Sequence, residues 1–311
     1  MTSNLNGYEI PILILTFNRL DTTLALISAL SEVKPETIYF SSDGPRNDTE
    51  SMTISNIREK VLDAIDWDCN IVEIFHAQNM GCQSCVDYAI KYMFQREDSG
   101  IILEDDCIPN KAFFEYMSYA LETFEHDLTI SSVSGRNHLV KNPIASAVTS
   151  NRFYCWGWGT WRNRIDGLKI DDVVTQWGLK KLLSTRYGSF RDALFVTMMS
   201  GLLKTKQVDS WAYAYDLYFR DKNLRCLVPK VNYINNIGFD GTHSDSWNID
   251  PMGQSDDFIR DDYENIIDGH EYNSLVYRQE YASAVKQMLV SVASWVPGIR
   301  KLKKRLGGKL G

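Results

Sequence analysis

The run Ile10–Phe17 (IPILILTF) is apolar at nearly every position. A strand with one wet face would alternate, so a continuous run predicts a strand covered on both sides. Thr37–Ser42 (TIYFSS), Asn70–Phe75 and Gly100–Leu103 read as three further strands. Between them the apolar period changes. Residues 22–31 read as a helix that Asp21 can cap, and 49–66 carries Ile54, Ile57, Val61 and Ile65 along one side. Val86, Ala89, Ile90, Met93 and Phe94 recur at helical spacing. This β-α-β-α-β-α-β order predicts an α/β fold, a mainly parallel, Rossmann-like sheet flanked by helices. Such sheets bind ligands beyond the carboxyl ends of their strands. Arg19, Asp43, His76 with Asn79, and Glu104 to Asp106 all fall at or just after strand ends.

The pattern loosens after residue 107. Phe113, Phe114, Met117, Leu121 and Phe124 predict a helix, and Thr129–Ser134 a strand. Phe153–Trp161 (FYCWGWGTW) is dense in aromatics and glycine. A helical stretch is expected over about 175–203, another over Ser210–Arg220, and a short strand at Cys226–Val228. Asn235–Trp247 (NNIGFDGTHSDSW) reads as a polar, glycine-containing loop and 248–270 as acidic and turn-rich. Tyr281, Val285, Met288, Leu289, Val292 and Val296 then form a helical apolar stripe.

Charge divides the chain unevenly. Residues 281–311 hold seven basic residues and no acid, so an overall charge of −7 leaves −14 on the first 280 residues. That acidity excludes a protein built to coat nucleic acid. The terminal stretch reads as a basic amphipathic helix drawn to an anionic membrane surface, against the plainer reading of a packed helix with a solvated tail. No segment reaches the ~20 apolar residues of a membrane span. Met1 to Glu9 is polar and gives the short run Ile10–Leu15 no basic lead, so no export signal is expected. The six cysteines are then expected reduced, in a cytoplasmic protein that sits peripherally at the inner membrane face if its basic end binds lipid. Cys82 and Cys85 form a C-x-x-C without a second pair at zinc spacing, and are expected as core and helix-surface residues.

No G-x-x-x-x-G-K-[ST], no G-x-G-x-x-G after the first strand and no G-x-S-x-G occur. P-loop, dinucleotide and serine-hydrolase chemistries are therefore not expected. What remains is Glu104-Asp105-Asp106. Consecutive carboxylates repel one another and are tolerated where donors or a divalent cation hold them. Two protein carboxylates are too few to bind a hard cation alone, and Mn²⁺ or Mg²⁺ usually completes its octahedron with water and substrate phosphates. Arg19 could share a diphosphate's charge. The plainer reading is a solvated acidic turn before Pro109.

Gly100 to Met117 (GIILEDDCIPNKAFFEYM) resembles the metal-binding strand and following helix of GT-A glycosyltransferases, most of all the N-acetylglucosaminyltransferase I family. Asn18-Arg19 and Ser42-Asp43-Gly44 resemble that family in order and context. CWGWGTW, Asp209-Ser210-Trp211-Ala212 and NIGFDGTHS resemble bacterial sugar transferases of surface-polysaccharide synthesis. The resemblance implies a GT-A domain over 1–247, with a nucleotide-binding half (1–107) and an acceptor half (108–247). A C-terminal helical extension over 248–311 would follow. It implies an inverting transfer from a nucleotide-sugar, UDP-linked, to a saccharide acceptor carried on a lipid. Asp106 would ligate the metal, Asp105 would contact the ribose or metal, and Glu104 would face the sugar or acceptor. Asp43 would meet the base and Arg19 the phosphates. Asp209 would be the general base, with Asp216 as the fallback because Ser210 stands where the animal enzymes have a second acid. Asp209 is equally readable as a helix cap.

His243, in a late Gly-Thr-His-Ser loop, is expected as a metal or phosphate contact, with Gly238 and Gly241 letting the loop order over the donor; a surface histidine is the plainer reading. Trp156 and Trp158 are expected to stack on a sugar face, against a tryptophan-rich core under a loop. Two other functions compete with sugar transfer. A sugar-1-phosphate nucleotidyltransferase shares this sheet type but opens with a glycine-rich loop and a lysine where this chain has Thr16-Phe17-Asn18-Arg19. A catalytically inactive sugar- or membrane-binding module would need no base at all.

Overall fold

The computed structural model describes residues 7–238 and 253–298, apart from positions 142, 186 and 282. Its first part follows the expected alternation: β1 (Ile12–Thr16), α1 (Leu20–Ser31), β2 (Thr37–Ser42), α2 (Asp48–Ala64), β3 (Asn70–Phe75), α3 (Cys82–Phe94) and β4 (Ser99–Glu104). β5 (Cys107–Pro109), α4 (Lys111–Thr123), β6 (Ile130–Ser134), β7 (Val148–Ser150) and β8 (Trp158–Trp161) come next. Short helices α5 (Arg162–Ile165), α6 (Ile170–Gln176) and α7 (Leu179–Ser184) lead to α8 (Phe190–Lys204) and α9 (Trp211–Asp221). β9 (Arg225–Val228), β10 (Ile234–Asn236), β11 (Ile267–Asp268), α10 (His270–Glu280) and α11 (Ala284–Ala293) complete it.

Nine strands form one sheet in the order β11-β7-β9-β6-β8-β4-β1-β2-β3. β3, β2, β1 and β4 run parallel, whereas β8 is antiparallel to both β4 and β6. All five β1 residues are buried, as the continuous apolar run requires. Their side chains alternate between two cores. Leu13 and Leu15 join Tyr39, Ile102 and the α3 residues Val86, Ile90 and Met93 on one face. Ile12 and Ile14 join Ile38, Phe40, Ile101, Leu103 and the α4 residues Phe113 and Met117 on the other. This is the period-2 alternation of a strand sandwiched between helical layers.

Two local expectations are corrected. α1 begins at Leu20 with Arg19 at its N-cap and no side-chain cap, so Asp21 supplies first-turn charge and not the cap. The single helix expected over 175–203 is interrupted between α7 and α8, where Ser189 caps α8 by accepting from Asp192 N–H at 3.1 Å. Toward the C-terminus, β11 pairs with β7, and Tyr272, Val276 and Tyr277 of α10 are core residues.

Candidate active site

In the parallel part of the sheet the strand order reverses between β1 and β4. β2 and β3 lie on one side of β1 and β4 on the other. At such a switch point the two following loops diverge and leave a crevice. Arg19 follows β1 and Glu104 ends β4, with Leu15 paired to Glu104, so register alone brings the acid triplet beside the arginine.

The guanidinium of Arg19 forks across two carboxylates. Its Nη2 donates to Asp105 Oδ1, its Nε to Asp105 Oδ2 at 3.4 Å, and its Nη1 to Asp106 Oδ2 at 2.9 Å. Asp105 is buried, Asp106 and Glu104 partly so. Desolvation lifts the Asp105 carboxyl to about 7, against the pull of Arg19. Desolvation lifts Glu104 to about 8, and the neighbouring charges of Asp106 and Asp105 add to it. One guanidinium thus faces three acids.

The second sheet closes this corner. β10 pairs antiparallel with β5, Asn236 opposite Cys107. Ile237 N–H donates to the Asp106 carbonyl at 2.9 Å, and Asn236 Nδ2 to Asp106 Oδ1 at 3.3 Å. Asn236 Oδ1 in turn accepts from Gly238 N–H at 3.0 Å. A Cβ on Gly238 would collide with Asp106 Oδ2 and lie 2.8 Å from Arg19 Nη1, so the approach of this backbone requires glycine. The segment expected to order over the donor therefore departs from Asp106 itself. His243 and Gly241 lie outside the described residues.

On the opposite flank, Gly81 (φ 81°) opens α3 in the left-handed region. Asp209 occupies the space its side chain would need: its Oδ2 lies 2.8 Å from where a Cβ would stand. Asp209 Oδ1 accepts from Gln83 N–H at 3.2 Å. It therefore caps α3 across 126 residues of sequence, while Ser210 caps Asp209's own helix, accepting from Tyr213 N–H at 3.4 Å. Asp209 is otherwise exposed. Cys82 lies between the two sides; the residue keeps exposed surface, but the protein packed around its thiol and the charges of Glu104 and Asp209 push it up to about 12. Cys155, from the aromatic segment, lies beside Glu104 and favours its charged form.

The other expected residues divide. Asp43 is buried and engaged: Oδ1 accepts from Gly44 N–H at 2.7 Å and Met80 N–H at 2.9 Å, and Oδ2 from Asn79 Nδ2 at 2.9 Å. It fastens the β2 loop to the loop after β3. Trp156 is half-buried, with the Arg136 guanidinium 4.6 Å from its ring centroid. Trp158 has no exposed surface and packs among Phe153, Trp211 and Tyr215. That corrects the expectation of a sugar-stacking Trp158: on β8 its side chain points into the core beneath α9. The fallback base is corrected likewise. Asp216 is buried, paired with Arg220 Nε, and accepts from Phe153 N–H at 2.8 Å. Cys82 is exposed and Cys85 buried, and both thiols are free.

Sequence reasoning missed Asn236 and Arg58. Arg58 binds the ends of β2 and β3, donating to Ser42 Oγ at 3.0 Å and to the His76 carbonyl at 2.9 Å. Only the N-I-G turn signature at 236–238 hinted at the first; nothing marked the second.

Does this donor set suit a divalent cation? No group of three or more His, Cys, Asp or Glu side chains is placed to hold a metal ion among the described residues. The oxygens present are hard carboxylates, one-sided in charge, and fit Mg²⁺ or Mn²⁺ that takes its remaining ligands from water and phosphate. Both aspartates have their oxygens engaged, Asp105 by Arg19 alone and Asp106 by Arg19 and Asn236. Asp106 is the less buried of the two, so it is the one a cation could reach by displacing those donors.

No protein-family model and no curated protein matches the chain. Solved structures similar to it include TarS 1–349 of S. aureus, at 13% identity and TM-score 0.42, covering 97% of this chain and 76% of that one. HddC from Yersinia pseudotuberculosis aligns at 10% identity and TM-score 0.37, over 74% of this chain and 94% of that one. A UDP-glucose pyrophosphorylase complexed with UDP-glucose aligns at 7% identity and TM-score 0.37, over 71% and 90%.

Proposed function

We propose that the chain is a metal-dependent, inverting glycosyltransferase that moves a sugar from a UDP-sugar to a saccharide hydroxyl. The observation that carries this reading is the acid triplet held at the switch point, where three carboxylates face one arginine and a glycine backbone packs on Asp106. That corner is short of positive charge and edged by backbone that can approach a ligand. A divalent cation would supply the missing positive charge and a nucleoside diphosphate would fill its remaining coordination positions; a neutral sugar alone does neither.

Asp106 would hold the cation, which when bound supplies charge neutralisation for the departing diphosphate. Arg19 orients Asp105 and Asp106 by its fork and is positioned to turn toward a phosphate. Asp209 keeps an exposed carboxylate at the rim and takes the proton of the acceptor hydroxyl as the new bond forms. Glu104, beside Cys155, borders the same space and would face the sugar. Asp43 would meet the nucleotide only through whatever acceptor capacity its three protein donors leave, so its part is to shape the base end of the crevice. Trp156 remains the candidate for contact with the sugar.

A melting-temperature series on the purified chain tests the donor. UDP with Mn²⁺ should raise the melting temperature by more than either alone, since a ligand of the native state stabilises by mass action. Absence of any joint shift would remove the reading. Product analysis then separates two chemistries: UDP release from a UDP-sugar supports transfer, and pyrophosphate release from UTP and a sugar-1-phosphate supports nucleotidyl transfer.

A further inference from the structure

A surface helix normally turns its apolar stripe inward and its polar residues to water. α11 does the reverse. Its buried residues are Gln287 and Ser291, each 1% exposed. They dock on α8 by hydrogen bonds: Gln287 Nε2 donates to the Arg191 carbonyl at 2.7 Å, and Ser291 Oγ to the Leu194 carbonyl at 2.7 Å. Just past the helix, Trp295 Nε1 donates to the Thr197 carbonyl at 3.0 Å, and Ser294 and Trp295 pack where Gly201 has no side chain. The orientation is therefore fixed by at least three directional bonds, and a rotation that buried the stripe would break them all.

The outward face carries Val285, Met288, Leu289, Val292 and Val296, spaced i, i+3, i+4, i+7, i+11, with Leu289 62% and Val292 63% exposed. Lys286 is the only charged residue from Ala284 to Gly298. The chain then runs into Arg300, Lys301, Lys303, Lys304, Arg305 and Lys309 without an acid; these lie outside the described residues. Among the described residues no helix is long and apolar enough to cross a membrane.

The geometry points to α11 as a membrane-docking face that lies in the interface of an anionic bilayer, its stripe among the acyl chains and the following basic segment on the headgroups. An apolar face alone fits several occupants. The acid-free run of six cations, on a chain otherwise carrying −13, selects a negatively charged surface. An acidic protein partner would meet the same cations, but it offers no apolar layer for the exposed stripe. Docking is independent of the sugar-transfer reading and needs no nucleotide.

Co-sedimentation of the full chain with vesicles tests it. Phosphatidylcholine vesicles containing about a third phosphatidylglycerol should pellet the protein about tenfold more strongly than phosphatidylcholine alone. Leu289→Glu with Val292→Glu should cut that binding about tenfold or more while leaving the melting temperature unchanged, because both side chains face solvent. Lys303→Glu with Lys304→Glu should remove the preference for anionic lipid. The inference fails if the wild type stays in solution with both vesicle types, or if the Leu289/Val292 variant pellets as well as wild type. It also fails if the lipid-free protein is a dimer that this variant dissolves, since the face would then belong to a second copy.

Discussion

Two clusters in this molecule share the same ingredients, an arginine forked between two aspartates, yet differ in what they leave unsatisfied. In the core, Arg220 binds Asp216 through Nε and Asp192 through Nη1 at 2.9 Å. Both aspartates are saturated by protein: Asp216 also accepts from Phe153 N–H, and Asp192 from Tyr277 OH at 2.7 Å, Asn151 Nδ2 at 3.0 Å and Gly188 N–H at 3.2 Å. At the switch point, Arg19 meets Asp105 and Asp106 with Glu104 beside them, and among the described residues no second cation forms an ion pair with the triplet. The first cluster ties α8, α9, α10 and the β7–β8 segment together. The second crowds more carboxyl groups than its one arginine can pair at the sheet edge where loops meet, and burial with mutual repulsion raises their affinity for protons. Number of acids per cation, and where the spare oxygens point, separates a structural ion pair from a site awaiting a ligand.

The sharpest way to break this contrast is to remove one acid from each cluster. Asp106→Asn should lower transfer on the order of 10³-fold or more, because it weakens the proposed metal contact. Its melting temperature should not fall, since one of three crowded charges is gone. Steady-state rates with UDP-sugar and Mn²⁺, beside a thermal melt, check both halves. Unimpaired turnover would dissolve the distinction. Asp216→Ala should do the opposite: a loss of about 3–5 kcal/mol in urea unfolding from leaving Arg220 buried and half-paired, with activity per folded molecule kept. Asp209→Asn sharpens the assignment of the base. The amide oxygen can still accept from Gln83 N–H, so α3 keeps its cap, whereas proton abstraction should drop on the order of 10²-fold. A parallel fall in melting temperature would make Asp209 a cap and nothing more.

Much of this was legible in the chain because it is local. β1, β2 and β4 announce themselves by apolar runs, and their parallel alternation with helices places Arg19 and Glu104–Asp106 at one edge of the sheet; that β1 and β4 are neighbours there is set by strand pairing. What could not be read depends on pairings between distant segments. Asn236 reaches Asp106 only because β10 pairs with β5, about 130 residues away in sequence. Asp209 caps α3 and not its own helix for a similar reason. Trp158 and Trp156 are two residues apart in one aromatic motif, yet Trp158 begins β8 and turns into the core, while Trp156 lies before the strand, half-exposed over Arg136. Composition cannot decide that, since it depends on the strand's register against β4.

The smallest expected effect probes the core side of the comparison through a group with no acid to help it. His138 is half-buried, its ring lying against those of Tyr154 and Trp156 at centroid distances of 4.3 and 5.7 Å. Desolvation, with the nearby charges of Arg136 and Arg152, holds its imidazole well below the usual 6.5, and its Nε2 has no hydrogen-bond partner. The folded protein therefore keeps this ring neutral where the unfolded chain would protonate it. Its contribution to stability is present above pH 6.5 and is lost as pH falls below that value, at up to about 1.4 kcal/mol per pH unit. Urea unfolding at pH 7.5 and 5.5 should show wild type losing about 1 kcal/mol more than His138→Phe, which keeps the ring stack and cannot titrate. Because every other titrating group is common to both proteins, the difference isolates the imidazole. Equal losses would mean that the core tolerates a charged His138, and that saturation of its ion pairs is not what keeps that side of the molecule closed.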